Sequence, residues 1–76
     1  MKRVITPVID AEATGEKIKQ YRIEKGYTID EVCDALNVSV NAVYKWQRGE
    51  TLPVIENFWA LSILFDVPIE DLLCEM

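Results

Sequence analysis

The stretch Thr28–Gly49 constrains the fold more than any other part of this 76-residue chain. It holds two short amphipathic segments with only Asn37-Val38-Ser39 between them. The first opens on Thr28-Ile29-Asp30-Glu31, which fits a capping box: a Thr side chain and a Glu three residues later satisfy each other's orphan backbone amides. Ile29, Val32, Cys33 and Leu36 then recur at helical spacing, with Asp30, Glu31 and Asp34 facing the other way. Asn37 tolerates the left-handed backbone of a tight turn. Val38 can plug that turn into a core, and Ser39 is an N-cap for the next helix. That helix reads Val40–Arg48 and stops at Gly49. Val43 and Trp46 share its buried face, whereas Val40, Asn41, Tyr44, Lys45 and Arg48 point elsewhere.

The flanks supply the rest of the core. Residues 1–13 read as an extended arm with a short edge strand, because Thr6-Pro7 interrupts Val4, Ile5, Val8 and Ile9, and Pro denies a donor to a central strand. A first helix is expected from about residue 12 to residue 25, capped by Asp10 or Thr14, with Ile18 and Tyr21 on one face and Gly26 as its stop. Glu50-Thr51-Leu52-Pro53 is a loop. A fourth helix, about 54–65, is apolar almost all round. Asp66-Val67-Pro68 breaks it, and Pro68 suits the first turn of a fifth, short helix with Glu70 and Asp71 near its positive end. Leu72 and Leu73 close the core. The expectation is therefore all-α: a compact five-helix domain over residues 14–76 behind an N-terminal arm of residues 1–13.

Composition narrows the function. A chain this short is one domain with little room for a deep cleft. It has no His, which removes the commonest general base and the commonest metal ligand. Cys33 and Cys74 lie far apart and form no CxxC pair, so neither a zinc site nor a disulfide framework is implied, and a reducing, cytoplasmic compartment is expected. There are no paired carboxylates in a plausible cleft and no Gly-rich phosphate loop. No catalytic constellation can be named, and no enzyme, cofactor or small-molecule ligand is expected. The basic start, Met1-Lys2-Arg3, precedes no long apolar run, so no signal peptide or membrane span is expected.

Net charge is -5, which taken alone argues against binding a polyanion. The charge is uneven, however. Residues 1–27 hold six basic and four acidic residues, residues 28–50 two and four, and residues 51–76 none and five. A molecule polarised in this way can still offer one basic face.

Two short helices joined by a tight turn, the second bearing exposed Asn, Lys, Tyr and Arg, make a helix-turn-helix. The pattern Gly15-Glu16-Lys17-Ile18 … Arg22 … Lys25-Gly26-Tyr27-Thr28 … Glu31-Val32-Cys33 … Leu36-Asn37-Val38-Ser39 … Val43-Tyr44-Lys45-Trp46-Gln47-Arg48-Gly49 … Pro53 … Leu61 … Phe65-Asp66-Val67 … Leu72-Leu73 resembles the Cro/lambda-repressor (XRE) family over residues 14–74, without a gap. The resemblance implies a lambda-repressor-like DNA-binding domain whose third helix enters the major groove of double-stranded DNA. Carried over, Val40, Asn41 and Lys45 face bases, while Thr28, Ser39, Tyr44 and Arg48 face phosphates. The chemistry suits these places: Asn can bond adenine N6 and N7, Lys can donate to guanine O6 and N7, and Val methyls can meet the thymine methyl. The competing reading of Asn41 and Lys45 is a solvated helix face, of Tyr44 half-buried packing, and of Arg48 a partner for the helix dipole.

Three departures from the family pattern weaken its phosphate grip. Ile29 stands where many relatives carry a Gln, the loop after the third helix is Glu50-Thr51-Leu52 rather than basic, and the second helix carries three acids. Arg22 in the family commonly pairs with a Glu at the position held here by Gln47, a neutral group that can still accept a hydrogen bond but makes no ion pair. DNA binding is accordingly expected to be weak, and a salt slope steeper than about six would contradict so sparse a set of phosphate contacts. The fourth helix is too apolar to be enclosed on every side. Trp59, Ala60 and Ile63 are therefore expected to form a homodimer interface, unless Trp59 and Ile63 cover the first helix or the arm of their own chain. The functional expectation is a sequence-specific regulator, a repressor binding a palindromic operator as a dimer. The alternative is a protein-interaction module on the same scaffold, antitoxin-like or an anti-repressor partner.

Overall fold

The computed structural model describes residues 8–76. Four α-helices follow in order: α1 (Ala11–Glu24), α2 (Ile29–Leu36), α3 (Val40–Arg48) and α4 (Ile55–Phe65). Each boundary has a local chemical cause. Asp10 caps α1, its carboxylate accepting from the Ala13 amide at 3.0 Å. Thr14, the other candidate cap, instead lies inside α1. It is buried, and its hydroxyl oxygen accepts from the Cys74 amide at 3.1 Å. Both halves of the capping box of α2 are present: the Thr28 amide donates to Glu31 Oε1 at 2.9 Å, and the Glu31 amide to Thr28 Oγ1 at 3.1 Å. Asn37 ends α2 in the left-handed conformation (φ 56°), and the Val38 amide reaches back to the Cys33 carbonyl at 3.1 Å. Ser39 then caps α3 by accepting from the Ala42 amide at 3.1 Å.

The fifth helix expected from Pro68 is not formed. After Asp66 closes α4 in the left-handed conformation, Ile69–Asp71 make a single 3-10 turn. Two anchors leave no room for more. Leu72, fully buried, pins the chain directly after that turn. The residues beyond it are drawn into extended pairing with the start of the domain. The Asp10 amide donates to the Cys74 carbonyl (2.7 Å), the Met76 amide donates to the Val8 carbonyl (3.0 Å), and Ile9 and Glu75 form an antiparallel bridge. Of the described part of the expected arm, residues 8–10 lie at this bridge, whereas Ala11, Glu12 and Ala13 are not arm but the first turn of α1, because Asp10 caps the helix ahead of them. Residues 1–7, the remainder of the expected arm up to Pro7, lie outside the described residues.

Ile18, Val32, Cys33, Val43, Trp46, Phe58, Leu61, Phe65 and Leu72 form one core, to which every helix contributes. Tyr21 and Tyr27 close it over Phe65, with ring centroids 6.3 and 6.2 Å away. Burial, reinforced by the carboxylates of Asp30 and Asp34, pushes the Cys33 thiol up from its ordinary value, so it packs as a small neutral group. Among the described residues no helix is long and apolar enough to cross a membrane.

The back of α3 is held by α1. A Cβ added at Gly15 would overlap the Trp46 carbonyl oxygen and come within 2.9 Å of the Gln47 carbonyl oxygen. Glycine inside a helix costs about 1 kcal/mol relative to Ala, and here the backbone approach demands it. Two turns along α1, Arg22 reinforces the same contact. Its Nε donates to Gln47 Oε1 at 3.0 Å, and its Nη1 to the Tyr27 carbonyl at 2.8 Å. One side chain thus ties α1 to the end of α3 and to the residue before the α2 cap, with a neutral amide serving as acceptor.

These contacts set two effects against each other in Gly15→Ala. Helix propensity favours the alanine by about 1 kcal/mol. The overlap is with backbone, so no rotamer relieves it, and overpacking of this kind costs about 1–3 kcal/mol or more. Because the overlap is with two backbone oxygens, the cost lies at or beyond the upper end of that range, and a net destabilisation of about 2 kcal/mol is expected in urea unfolding. A variant as stable as the parent would contradict the α1–α3 approach.

Candidate nucleic-acid interface

The caps and the core together decide what α3 presents to solvent. Val43 and Trp46 are buried, so the opposite side of the helix must face out. On that side lie Val40, Asn41, Tyr44, Lys45 and Arg48, spaced one and four residues apart along a single face. Val40, Asn41, Tyr44 and Arg48 are exposed, and Lys45 is half-buried along its stem. All three residues expected at bases therefore share one face with two of those expected at phosphates. Tyr44 is not a core residue: it is 43% exposed.

Thr28 and Ser39, the other two expected phosphate contacts, begin α2 and α3. Each hydroxyl oxygen already accepts a capping bond. A hydroxyl has one donor and two acceptor sites, so both can still donate outward to an anion. Both hydroxyls are exposed at helix N-termini, where the backbone dipoles favour negative charge, and that of Ser39 opens α3 itself.

Arg48 departs from expectation in one respect, because it is not free. Its Nη2 donates to Glu50 Oε2 at 2.9 Å, and both side chains are 52% exposed. That hydrogen bond, with the charges of Arg48 and Lys45, holds the Glu50 carboxyl below its ordinary value. The order Arg48-Gly49-Glu50 does not by itself reveal the pair: it is the left-handed Gly49 (φ 75°) that turns the chain so that a residue two positions on can return to the helix end.

A second surface lies on α4. Ile55, Trp59 and Ile63, four residues apart, stand 63%, 65% and 70% exposed. At these exposures Trp59 and Ile63 do not act as cover for α1. Ala60 is half-buried and lines a shallow apolar groove with Ala35, Leu36, Ile63 and Leu64. Ile55 extends the stripe expected from Trp59, Ala60 and Ile63 by one turn.

This geometry can be set beside known proteins. A helix-turn-helix family model matches residues 18–72. The chain is 36% identical over 58 residues to the transcriptional activator BcrR of Enterococcus faecalis, a match covering 76% of this chain and 28% of BcrR. It is 36% identical over 62 residues to the transcriptional regulator SinR of Bacillus subtilis, covering 80% of this chain and 56% of SinR. The chain thus aligns with little more than half of SinR and a smaller share of BcrR. The structure of SinR in complex with DNA superposes with a TM-score of 0.71 at 32% identity, over 78% of this chain and 95% of that one. The P22 c2 repressor in complex with a synthetic operator superposes with a TM-score of 0.74 at 32% identity, over 79% of this chain and 91% of that one. With the capped turn between α2 and α3 and the four-helix core in place, the chain belongs to the XRE-type helix-turn-helix family.

Proposed function

We propose that this chain is a sequence-specific, double-stranded-DNA-binding transcriptional regulator that places α3 in the major groove. The observation that carries the reading is the exposed face of α3, where Asn41 and Lys45 stand side by side on a helix held rigidly from behind. Asn41 and Lys45 supply hydrogen bonds to base edges, and Val40 supplies methyl contact. Thr28, Ser39, Tyr44 and Arg48 supply phosphate contacts, which fix register without reading sequence. Two relatives of known structure, SinR and the P22 c2 repressor, were solved in complex with DNA, which supports the partner class. Repression is the direction we favour, although BcrR, of comparable identity, is an activator. The work done is recognition rather than catalysis, as the kinship with transcriptional regulators suggests.

The same reading includes a dimer on a palindromic site, with the two copies meeting through Trp59, Ala60 and Ile63 and the α3 helices about one DNA turn apart. Charge opposes this contact. Residues 51–76 carry five acids and no base, so two copies of α4 bring like charges together. Self-association of this kind strengthens as salt screens the repulsion, whereas DNA binding weakens. The exposed stripe and its acidic surroundings also favour a second reading, a protein-interaction module on the same scaffold, because fold alone does not fix function.

Selection from random duplexes at low salt is expected to enrich a palindromic motif. Asn41→Ala with Lys45→Ala should lose that enrichment, each contact being worth about 1–3 kcal/mol of discrimination. A log–log salt slope shallower than about six is expected from so few cations. Failure of folded protein to enrich any motif would favour the interaction module. In sedimentation, the parent chain should associate more as salt rises and Trp59→Glu should not; a parent that stays monomeric at high concentration and high salt would remove the α4 dimer.

A further inference from the structure

We propose that Glu50 is a built-in competitor for the DNA backbone: it holds Arg48 in an intramolecular ion pair that a phosphate must displace, and so sets the affinity of the α3 surface. The proposal rests on the DNA-binding reading above. Residues 28–50 contain only two cations, Lys45 and Arg48, and both lie on the outward side of α3. Glu50 is tied to the backbone of the first and to the guanidinium of the second. The left-handed Gly49 reverses the chain, the Glu50 amide donates to the Lys45 carbonyl at 3.0 Å, and the carboxylate returns to Arg48 Nη2 at 2.9 Å. The turn delivers the acid to this place, so it differs from a solvated acid elsewhere on the surface.

The competition is chemical as well as spatial. A carboxylate oxygen and a phosphate oxygen use the same guanidinium N–H, in the same planar geometry. While the pair stands, Arg48 neutralises no phosphate and so displaces none of the cations condensed on the DNA, whose release drives phosphate binding. When DNA arrives, either the pair breaks or the Glu50 carboxylate stays beside the backbone and repels it. Either route lowers affinity and flattens the salt dependence. Exposed pairs of this kind are individually weak, so the effect is a tuning of affinity rather than a block.

The test compares the parent chain, Glu50→Gln, Arg48→Ala and the double variant. Glu50→Gln keeps the shape and removes the charge at an exposed position, so the fold is expected to persist, as checked by thermal unfolding. Duplex binding at low salt should tighten about fivefold in Glu50→Gln, and the salt slope should steepen by about 0.9 per bound chain. Arg48→Ala should erase that gain and cost more in the Glu50→Gln background than in the parent. Equal affinities for parent and Glu50→Gln, or an Arg48→Ala cost that is the same in both backgrounds, would overturn the proposal while leaving DNA binding intact. The side-chain Nε–H resonance of Arg48 in the free protein gives a readout without DNA. It should move in Glu50→Gln, and an unmoved resonance would show that the pair does not stand in solution. Absence of duplex binding by every variant, with the resonance moving as expected, would sink the DNA-binding reading and this proposal's consequence with it.

Discussion

The approach of α1 to the last turn of α3 is the contact on which the rest depends. Without a Cβ at Gly15, the α1 backbone lies against the Trp46 and Gln47 carbonyls. Arg22 then bridges from α1 to Gln47 and to the Tyr27 carbonyl, so one side chain fixes both ends of the α2–α3 unit. Val43 and Trp46 are thereby committed to the core. A 9-residue helix cannot hold its own orientation in water. The direction in which Asn41 and Lys45 point is a consequence of what grips the opposite face. Among the described residues the Arg22 brace makes no ion pair, and its acceptors are an amide oxygen and a backbone carbonyl.

Local chemistry was legible in the sequence, and non-local pairing was not. The Thr28–Glu31 box, the left-handed Asn37 and the Ser39 cap each act within four residues, and the residue types alone predict them. The exposed side of α3 followed from the spacing of Val43 and Trp46. The fifth helix failed as an expectation because what replaces it is a contact between the two ends of the domain: Asp10 to Cys74, Val8 to Met76, and the buried Thr14 hydroxyl to the Cys74 amide. Pro68, Glu70 and Asp71 do favour a helical start, and a 3-10 turn forms there, but the tail's pairing with residues 8–10 overrides its extension. The hold of Glu50 on Arg48 was likewise hidden, since it needs the φ of Gly49 as well as the sequence order.

Two surfaces of opposite character result. The face of α3 is narrow and polar, with two cations of which one is paired. The face of α4 is apolar and set in the acidic third of the chain. Salt acts on them in opposite senses, weakening contact with a polyanion and easing contact between like-charged apolar stripes. Under the proposed reading, ionic strength couples the two associations, and the chain has no His, the side chain whose ordinary titration falls between about pH 5 and 8.

The most direct measurement is a backbone amide correlation spectrum of the folded protein during titration with duplex DNA. If α3 is the reading surface, the amides of Thr28–Asp30 and Ser39–Arg48 shift first, and those around Ile55, Trp59 and Ile63 remain in place or respond later through self-association. Perturbations confined to α4, or a spectrum unchanged by duplex at low salt, would contradict a DNA-reading α3.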